Sequence, residues 1–301
     1  MNRRTFLQQT SLLAAAGLAS RLLAAEKEPL FRLSLAEWSL HRSLYAGKIQ
    51  HLDFPRVAKK EYDFDAIELV NSFFKDKARD AAYLRDFRRR ADDLGVKTLL
   101  IMCDGEGELG SPDAKKQTEA VENHRRWLDA AVALGCHSIR LNAAGGGGGS
   151  PEEQAARTAD GLRRLCEHAA PMKLNVLVEN HIGLSCNGAW LVSVIKRVNL
   201  SNCGTLVDFQ NFELPGGKRY DRYQGVAELM PFAKAVSAQT YEFDADGQPK
   251  GVDFRRLLKI VVDSGYRGFI EVEFSGEQIP EPEGIRKSKQ LLEKLRDELR
   301  A

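Results

Sequence analysis

The chain has 301 residues, with 44 Lys and Arg against 42 Asp and Glu and a formal net charge of +2. A chain of that length can bury a large core in one domain, since α/β barrels commonly use about 250 residues. So even a charge balance gives no extended basic face, and neither nucleic acid nor an anionic membrane is an expected partner.

Residues 1–25 stand apart. Arg3 and Arg4 precede Phe6 and Leu7, then a modest apolar stretch from Leu12 to Ala19 and small residues up to Ala25. The pattern resembles a twin-arginine export signal, which places the mature domain at 26–301 and the protein in the periplasm or otherwise outside the cytoplasm. The apolar run is short for a membrane span and Arg21 interrupts it; a retained anchor and a plain basic N-terminus are the alternatives. The five cysteines, Cys103, Cys136, Cys166, Cys186 and Cys203, contain no Cys-x-x-Cys pair and no zinc-ligand spacing. Their odd number leaves at least one free. Small core or loop residues are expected, with a Cys186 to Cys203 disulfide as the pairing open to an oxidising compartment.

Apolar runs then alternate with amphipathic stretches. Strands are predicted at 33–39, 66–70, 98–102, 138–142, 174–181, 204–208, 235–241 and 268–273. Helices are predicted near 53–60, 83–94 and 115–134, from Pro151 with Ser150 as N-cap, and at 190–198, 253–264 and 285–299, with Gly95 and Gly135 as stop signals. Five glycines, 145–149, follow the fourth strand; a flexible loop is expected, with a phosphate-cradling backbone as the alternative, although no Lys-Ser or Lys-Thr follows. Eight strand and helix units imply βαβ crossovers and, at this length, a single closed (β/α)8 TIM barrel. A doubly wound open sheet is the other solution, but no G-x-G-x-x-G turn follows the first strand.

The run at 174–181 ends in Glu179, Asn180 and His181. Buried parallel strands read as continuous apolar runs, and a barrel keeps its chemistry at their C-terminal ends. Strand alternation turns Glu179 and His181 to one side and Val178 and Asn180 to the other. The same design recurs at Asp208 and Glu273, so three strand ends carry acids, while Arg140 and Asn142 share a face of the fourth strand.

Residues 203–212, the tetrad Val178 to His181 and residues 265–276 resemble the strand ends of the xylose isomerase-like TIM barrel family, the sugar phosphate isomerase/epimerase group. Residues 34–41, 100–106 and 139–142 extend the likeness over nearly the whole mature chain, toward secreted bacterial members. The resemblance implies the fold more sharply than the substrate, because the family hosts isomerases, epimerases, lyases and endonucleases. It implies a divalent metal held by a Glu after strand five, an Asp after strand six, a His around strand seven and a Glu after strand eight. Glu179, Asp208 and Glu273 match three of these. Strand seven departs, offering Ser237 and Gln239 instead of histidine; Gln239 as fourth ligand favours Mn²⁺, Mg²⁺ or Co²⁺ over Zn²⁺.

Moving a proton next to a sugar carbonyl needs a base near the carbon and a positive group beside the developing enediolate oxygen. Glu179 and Glu273 are the expected acid/base pair, with the metal as Lewis acid. Trp38, His41, Glu68, Arg140, Asn142, His181 and Asn211 are the expected substrate contacts. Against these stand core packing for Trp38, a surface ion pair for Glu68, a capping role for His181, and neutralisation of the buried acids by Arg140. Glu271 is expected one layer deeper, as a structural residue. Three functions follow: a sugar isomerase or epimerase, a lyase that eliminates the aglycone of a 3-keto-glycoside, or a non-catalytic sugar-binding barrel. The endonuclease branch, which needs more histidine ligands, is disfavoured. The expected partner is a small sugar or keto-sugar, with a homo-oligomer allowed.

Overall fold

The computed structural model describes residues 29–143 and 146–300. Contacts divide the chain into residues 1–30 and 31–301, and the predicted export segment lies outside the described residues. The second unit is built on eight parallel strands: β1 (Arg32–Ala36), β2 (Ala66–Val70), β3 (Lys97–Cys103), β4 (Ser138–Asn142), β5 (Asn175–Glu179), β6 (Cys203–Asp208), β7 (Ala233–Thr240) and β8 (Phe269–Phe274). They pair in sequence order and β1 pairs with β8, closing the expected barrel. The main helix after each strand is α1 (Phe54–Tyr62), α2 (Ala81–Asp93), α3 (Ala114–Leu134), α4 (Pro151–Ala169), α5 (Gly188–Val198), α6 (Arg222–Leu229), α7 (Phe254–Asp263) and α8 (Glu281–Arg300).

Local chemistry sets the helix starts. Asp80, Asp113, Ser150, Asn187, Asp221 and Asp253 each accept hydrogen bonds from first-turn amides of α2 to α7. Such caps contribute about 1 kcal/mol each. Helix α6 was not expected: it has eight residues, weak periodicity and Gly225 in its interior. That glycine is demanded from outside the helix, since a Cβ there would lie 2.2 Å from Cε1 of Phe212.

Two strands end two or three residues earlier than predicted, each because a side chain replaces the ladder. Strand β5 stops at Glu179; Asn180 then donates through Nδ2 to the Asp208 carbonyl (3.0 Å) and accepts from the Asp208 N–H (2.9 Å). Strand β1 stops at Ala36, and the following turn sends the Glu37 carboxylate inward to the Val70 N–H (3.0 Å) and to His51 Nδ1 (2.7 Å). The barrel interior is apolar in one cluster, Ala36, Val70, Leu100, Met102, Leu177, Leu206 and Ala235, with Trp38 and Phe73 packed against it. In another layer it is polar: Ser34, Glu271 and Ser237 are register partners across β1, β8 and β7, all with no solvent exposure.

The glycine-rich segment is anchored at Gly147 and Gly148. Gly146 to Gly149 all take left-handed φ, and a Cβ on Gly146 would sit 2.5 Å from the Gly110 carbonyl. Arg157 donates to the carbonyls of Gly147 (2.8 Å) and Gly148 (2.6 Å), so the segment is tied down through its carbonyl oxygens. Gly145 lies outside the described residues. All five cysteines are buried and unpaired, which corrects the Cys186 to Cys203 pairing. Cys203 opens β6 against Cys166 of α4, whereas Cys186 follows the far end of β5. Among the described residues no helix is long and apolar enough to cross a membrane.

Candidate active site

The strand ends surround a cavity of ≈ 340 Å³ whose lining includes Trp38, His41, Arg140, His181, Gln239 and Glu273. Six of the expected site residues therefore come together. Trp38 and His41 form one wall: their rings stack with centroids 4.6 Å apart at 11°, and His41 Nδ1–H donates to the Trp38 carbonyl (2.7 Å), leaving Nε2 for a ligand. That geometry presents an aromatic face beside a polar tip, the usual surface for a sugar ring.

Arg140 is the one arginine or lysine of the lining among the described residues. Only 4% exposed, it donates through Nη1 to Asp104 Oδ1 (2.7 Å) and pairs through Nε with Glu179 Oε2. The second contact lacks the angle of a directed hydrogen bond, so both atoms keep bonding capacity although they attract as charges. Burial works against the charge on Arg140, but Glu179 and Asp104 outweigh it and its pKa is raised. Asp104, which burial alone would push up, is held below the usual range by Arg140. Asn142 adds a hydrogen bond to the same Asp104 oxygen (2.8 Å). Asp104 lines the cavity and was not singled out from the sequence; the signal was an acid directly after β3, at the same strand-end level as the other acids.

The remaining acids divide into two kinds. Glu273 opens to the cavity, and its oxygens accept from Ser237 Oγ (3.1 Å), Gln239 Nε2 (2.9 Å) and Ser275 Oγ (3.3 Å). Burial and then the nearby Glu179 raise its pKa. Glu179 and Asp208 do not line the cavity. Glu179 sits behind Arg140, 3.5 Å from Asn211 Nδ2, and burial raises its pKa to about 7. Asp208 accepts at Oδ1 from the N–H groups of Gln210 and Asn211 (both 2.7 Å), while Oδ2 has no partner; burial, Glu179 and Glu273 push its pKa well up. His181 lines the cavity with an unpartnered Nδ1, and burial lowers its pKa.

Glu68 lies away from the cavity wall: it is 2% exposed and accepts from Ser34 Oγ (2.6 Å), and burial raises its pKa to about 8. Its place facing the barrel interior, and not a strand-end position, makes it part of the polar interior layer. Asn142 and Asn211 act on Asp104 and Glu179 from outside the cavity. Glu271 is buried, and neither of its oxygens has a partner among the described residues.

The donor chemistry around Asp208 fits an oxygen-preferring divalent cation: Asp208 Oδ2 and Gln239 Oε1 are buried and unpartnered, and Glu179 and Glu273 add carboxylates. The spacing is not that of a closed cage, since among the described residues no three of His, Cys, Asp or Glu are grouped closely enough to hold a metal. Arg140 stands against Glu179 instead.

A closed eight-stranded parallel barrel with buried acids at its strand ends defines an α/β barrel whose site lies at the C-terminal face. The profile of the xylose isomerase-like TIM barrel family matches residues 57–295, and the chain belongs to that family. No curated protein matches the chain. Solved structures share the fold at low identity. A D-psicose 3-epimerase in the presence of D-fructose superposes with a TM-score of 0.68 at 14% identity, covering 88% of this chain and 99% of that one. An IolI protein with a bound zinc atom gives 0.69 at 14%, covering 89% and 99%. A 3-keto-D-glucoside 4-epimerase from E. coli gives 0.66 at 16%, covering 89% and 100%.

Proposed function

We propose that this barrel is a carbohydrate isomerase or epimerase that moves a proton on a carbon next to a carbonyl, through an enediolate. The observation that carries the reading is Glu273: a buried carboxylate with a raised pKa, held by three donors, opening into a cavity walled by the Trp38 and His41 rings. A base whose pKa is lifted toward neutrality is matched to abstraction of a weakly acidic C–H. The similarity in fold to sugar epimerases supports the choice of substrate class.

Glu273 takes the proton, and Ser237, Gln239 and Ser275 fix its carboxylate plane. Arg140 lies in the same wall and stabilises the negative oxygen that develops beside the reacting carbon. Glu179 lies behind Arg140, outside the cavity wall, so the two carboxylates are not equivalent: Glu179 holds the guanidinium in place, and Glu273 is the one that reaches the substrate. A divalent ion, for which Asp208, Gln239, Glu179 and Glu273 are the ligands on offer, would supply Lewis-acid polarisation of the carbonyl. Mn²⁺, Mg²⁺ or Co²⁺ suits that all-oxygen set better than Zn²⁺. Elimination of an aglycone from a 3-keto-glycoside uses the same proton step.

The test is solvent exchange. D-Fructose, D-psicose and 3-keto-glucosides are incubated in D₂O, with and without added Mn²⁺, and deuterium at the carbon next to the carbonyl is read by NMR. The wild type incorporates deuterium into at least one, and Glu273→Gln lowers the rate by about 10²- to 10⁴-fold. Full exchange in Glu273→Gln rejects the assignment.

A further inference from the structure

The cleft continues past His181 and Tyr241. Both also line a second cavity, ≈ 380 Å³, formed by the segments after β6 and β7. Each cavity is near the lower bound for small-molecule sites, so the pair suits a substrate longer than one ring. The second wall is cationic, with Arg219, Arg222 and Lys250 against Glu213. Lys250 is neutralised by Glu242 at 2.9 Å.

Arg222 is not neutralised. Its partly buried guanidinium donates from Nη1 to the Phe209 carbonyl (3.0 Å) and to Gln210 Oε1 (2.7 Å), both uncharged acceptors. Burial lowers its pKa and outweighs the pull of Tyr223, Asp208 and Asp221, none of which is in ion-pair contact with it among the described residues. Arg219, exposed on the same wall, likewise makes no ion pair among the described residues. A partly desolvated charge whose hydrogen bonds all go to neutral acceptors costs stability unless something else compensates it. Its unused N–H donors and those of a second arginine make a fork suited to a carboxylate or a phosphate. By contrast the first cavity already matches Arg140 to Asp104 and Glu179.

We propose that the second cavity is an anion subsite, occupied by a carboxylate or phosphate on the part of the substrate remote from the reacting carbon, so that the substrate is an acidic saccharide of at least two units. The inference rests on the sugar reading of the first cavity. Tyr241 and His181 are then the waist at which the two units meet.

The experiment is calorimetric titration of the full chain at low ionic strength with cellobiose, an aldobiouronic acid, cellobiose 6′-phosphate and inorganic phosphate alone. Hydrogen bonds to a charged group lead to an expected preference of about tenfold or more for a charged disaccharide over cellobiose. The favoured one identifies the anion. Arg219→Gln/Arg222→Gln brings that ratio to near one with cellobiose affinity unchanged, and Arg219→Gln alone, at an exposed position, lowers it partway. Glu273→Gln keeps the ratio. A wild-type ratio near one, or a ratio that survives in the double variant, overturns the proposal. If no disaccharide binds, the sugar reading fails and phosphate decides the rest: binding lost in the double variant upholds the anion site, and no binding removes that too.

Discussion

Arg140 is the residue whose removal best tests the electrostatics of the site. It faces Asp104 at 2.7 Å and Glu179 in direct contact, with only 4% exposure, and Glu273 lies in the same field. Arg140→Met keeps most of the volume and leaves two carboxylates without their cation. Breaking a buried pair from one side costs about 3–5 kcal/mol. For a chain of this size that corresponds to a melting temperature lower by about 6–10 °C, at about 2 °C per kcal/mol. The loss depends on pH in a defined direction. In the wild type the pKa of Glu179 stands near 7, above its ordinary 4.5. Its contribution to stability is whole below 4.5 and is lost as pH rises through 7. Without Arg140 that pKa rises further and the loss extends to higher pH. Calorimetric melting with chelator present should therefore show at pH 5.5 the deficit that comes from Asp104, already ionised there, and at pH 8.5 a larger one once Glu179 is ionised too. Arg140→Met/Glu179→Gln should recover part of it, giving a coupling well above the 0.5 kcal/mol of independent sites. Equal deficits at both pH values, or additive effects, would refute the account.

Two further substitutions probe the scaffold. Gly161→Ala in α4 would place a Cβ 2.3 Å from the Leu109 carbonyl oxygen and 3.0 Å from Leu109 Cβ. The usual helix gain of up to about 1 kcal/mol from Gly to Ala should reverse into a loss of about 1–3 kcal/mol, read as a lower urea midpoint; a stabilised variant would show that α4 does not pack that closely. Glu68→Gln replaces an acid held protonated up to about pH 8. The wild type is most stable below pH 4.5 with respect to this group and loses that contribution as pH rises through 8. The variant should melt like the wild type at pH 5 and higher at pH 8.5, and a constant difference would place Glu68 in a solvated setting.

Much of the molecule was legible because it depends on short-range periodicity. Apolar runs separated by amphipathic stretches announced eight parallel strands, and an acid at the end of such a run, as at Glu179, Asp208 and Glu273, stands where a barrel exposes its interior. Caps such as Ser150 and stops such as Gly135 were readable for the same reason, since their effect is confined to one turn. Helix α6 was not readable, because Gly225 answers to Phe212 and the helix has little periodicity of its own.

The sequence by itself determined the barrel, its family and the level at which the acids sit, because alternation and strand order follow from neighbouring residues. Only the tertiary structure decided what each acid does. Glu273 opens to the cavity while Glu179 is covered by a guanidinium from β4, Glu68 turns to a serine 34 residues earlier, and Asp104 joins the site through Arg140, 36 residues on. The half-buried Arg222 and the second cavity arise from loops brought together by barrel closure. Charge, burial and access are set by neighbours distant in the chain, and a pattern of residue types carries no record of them.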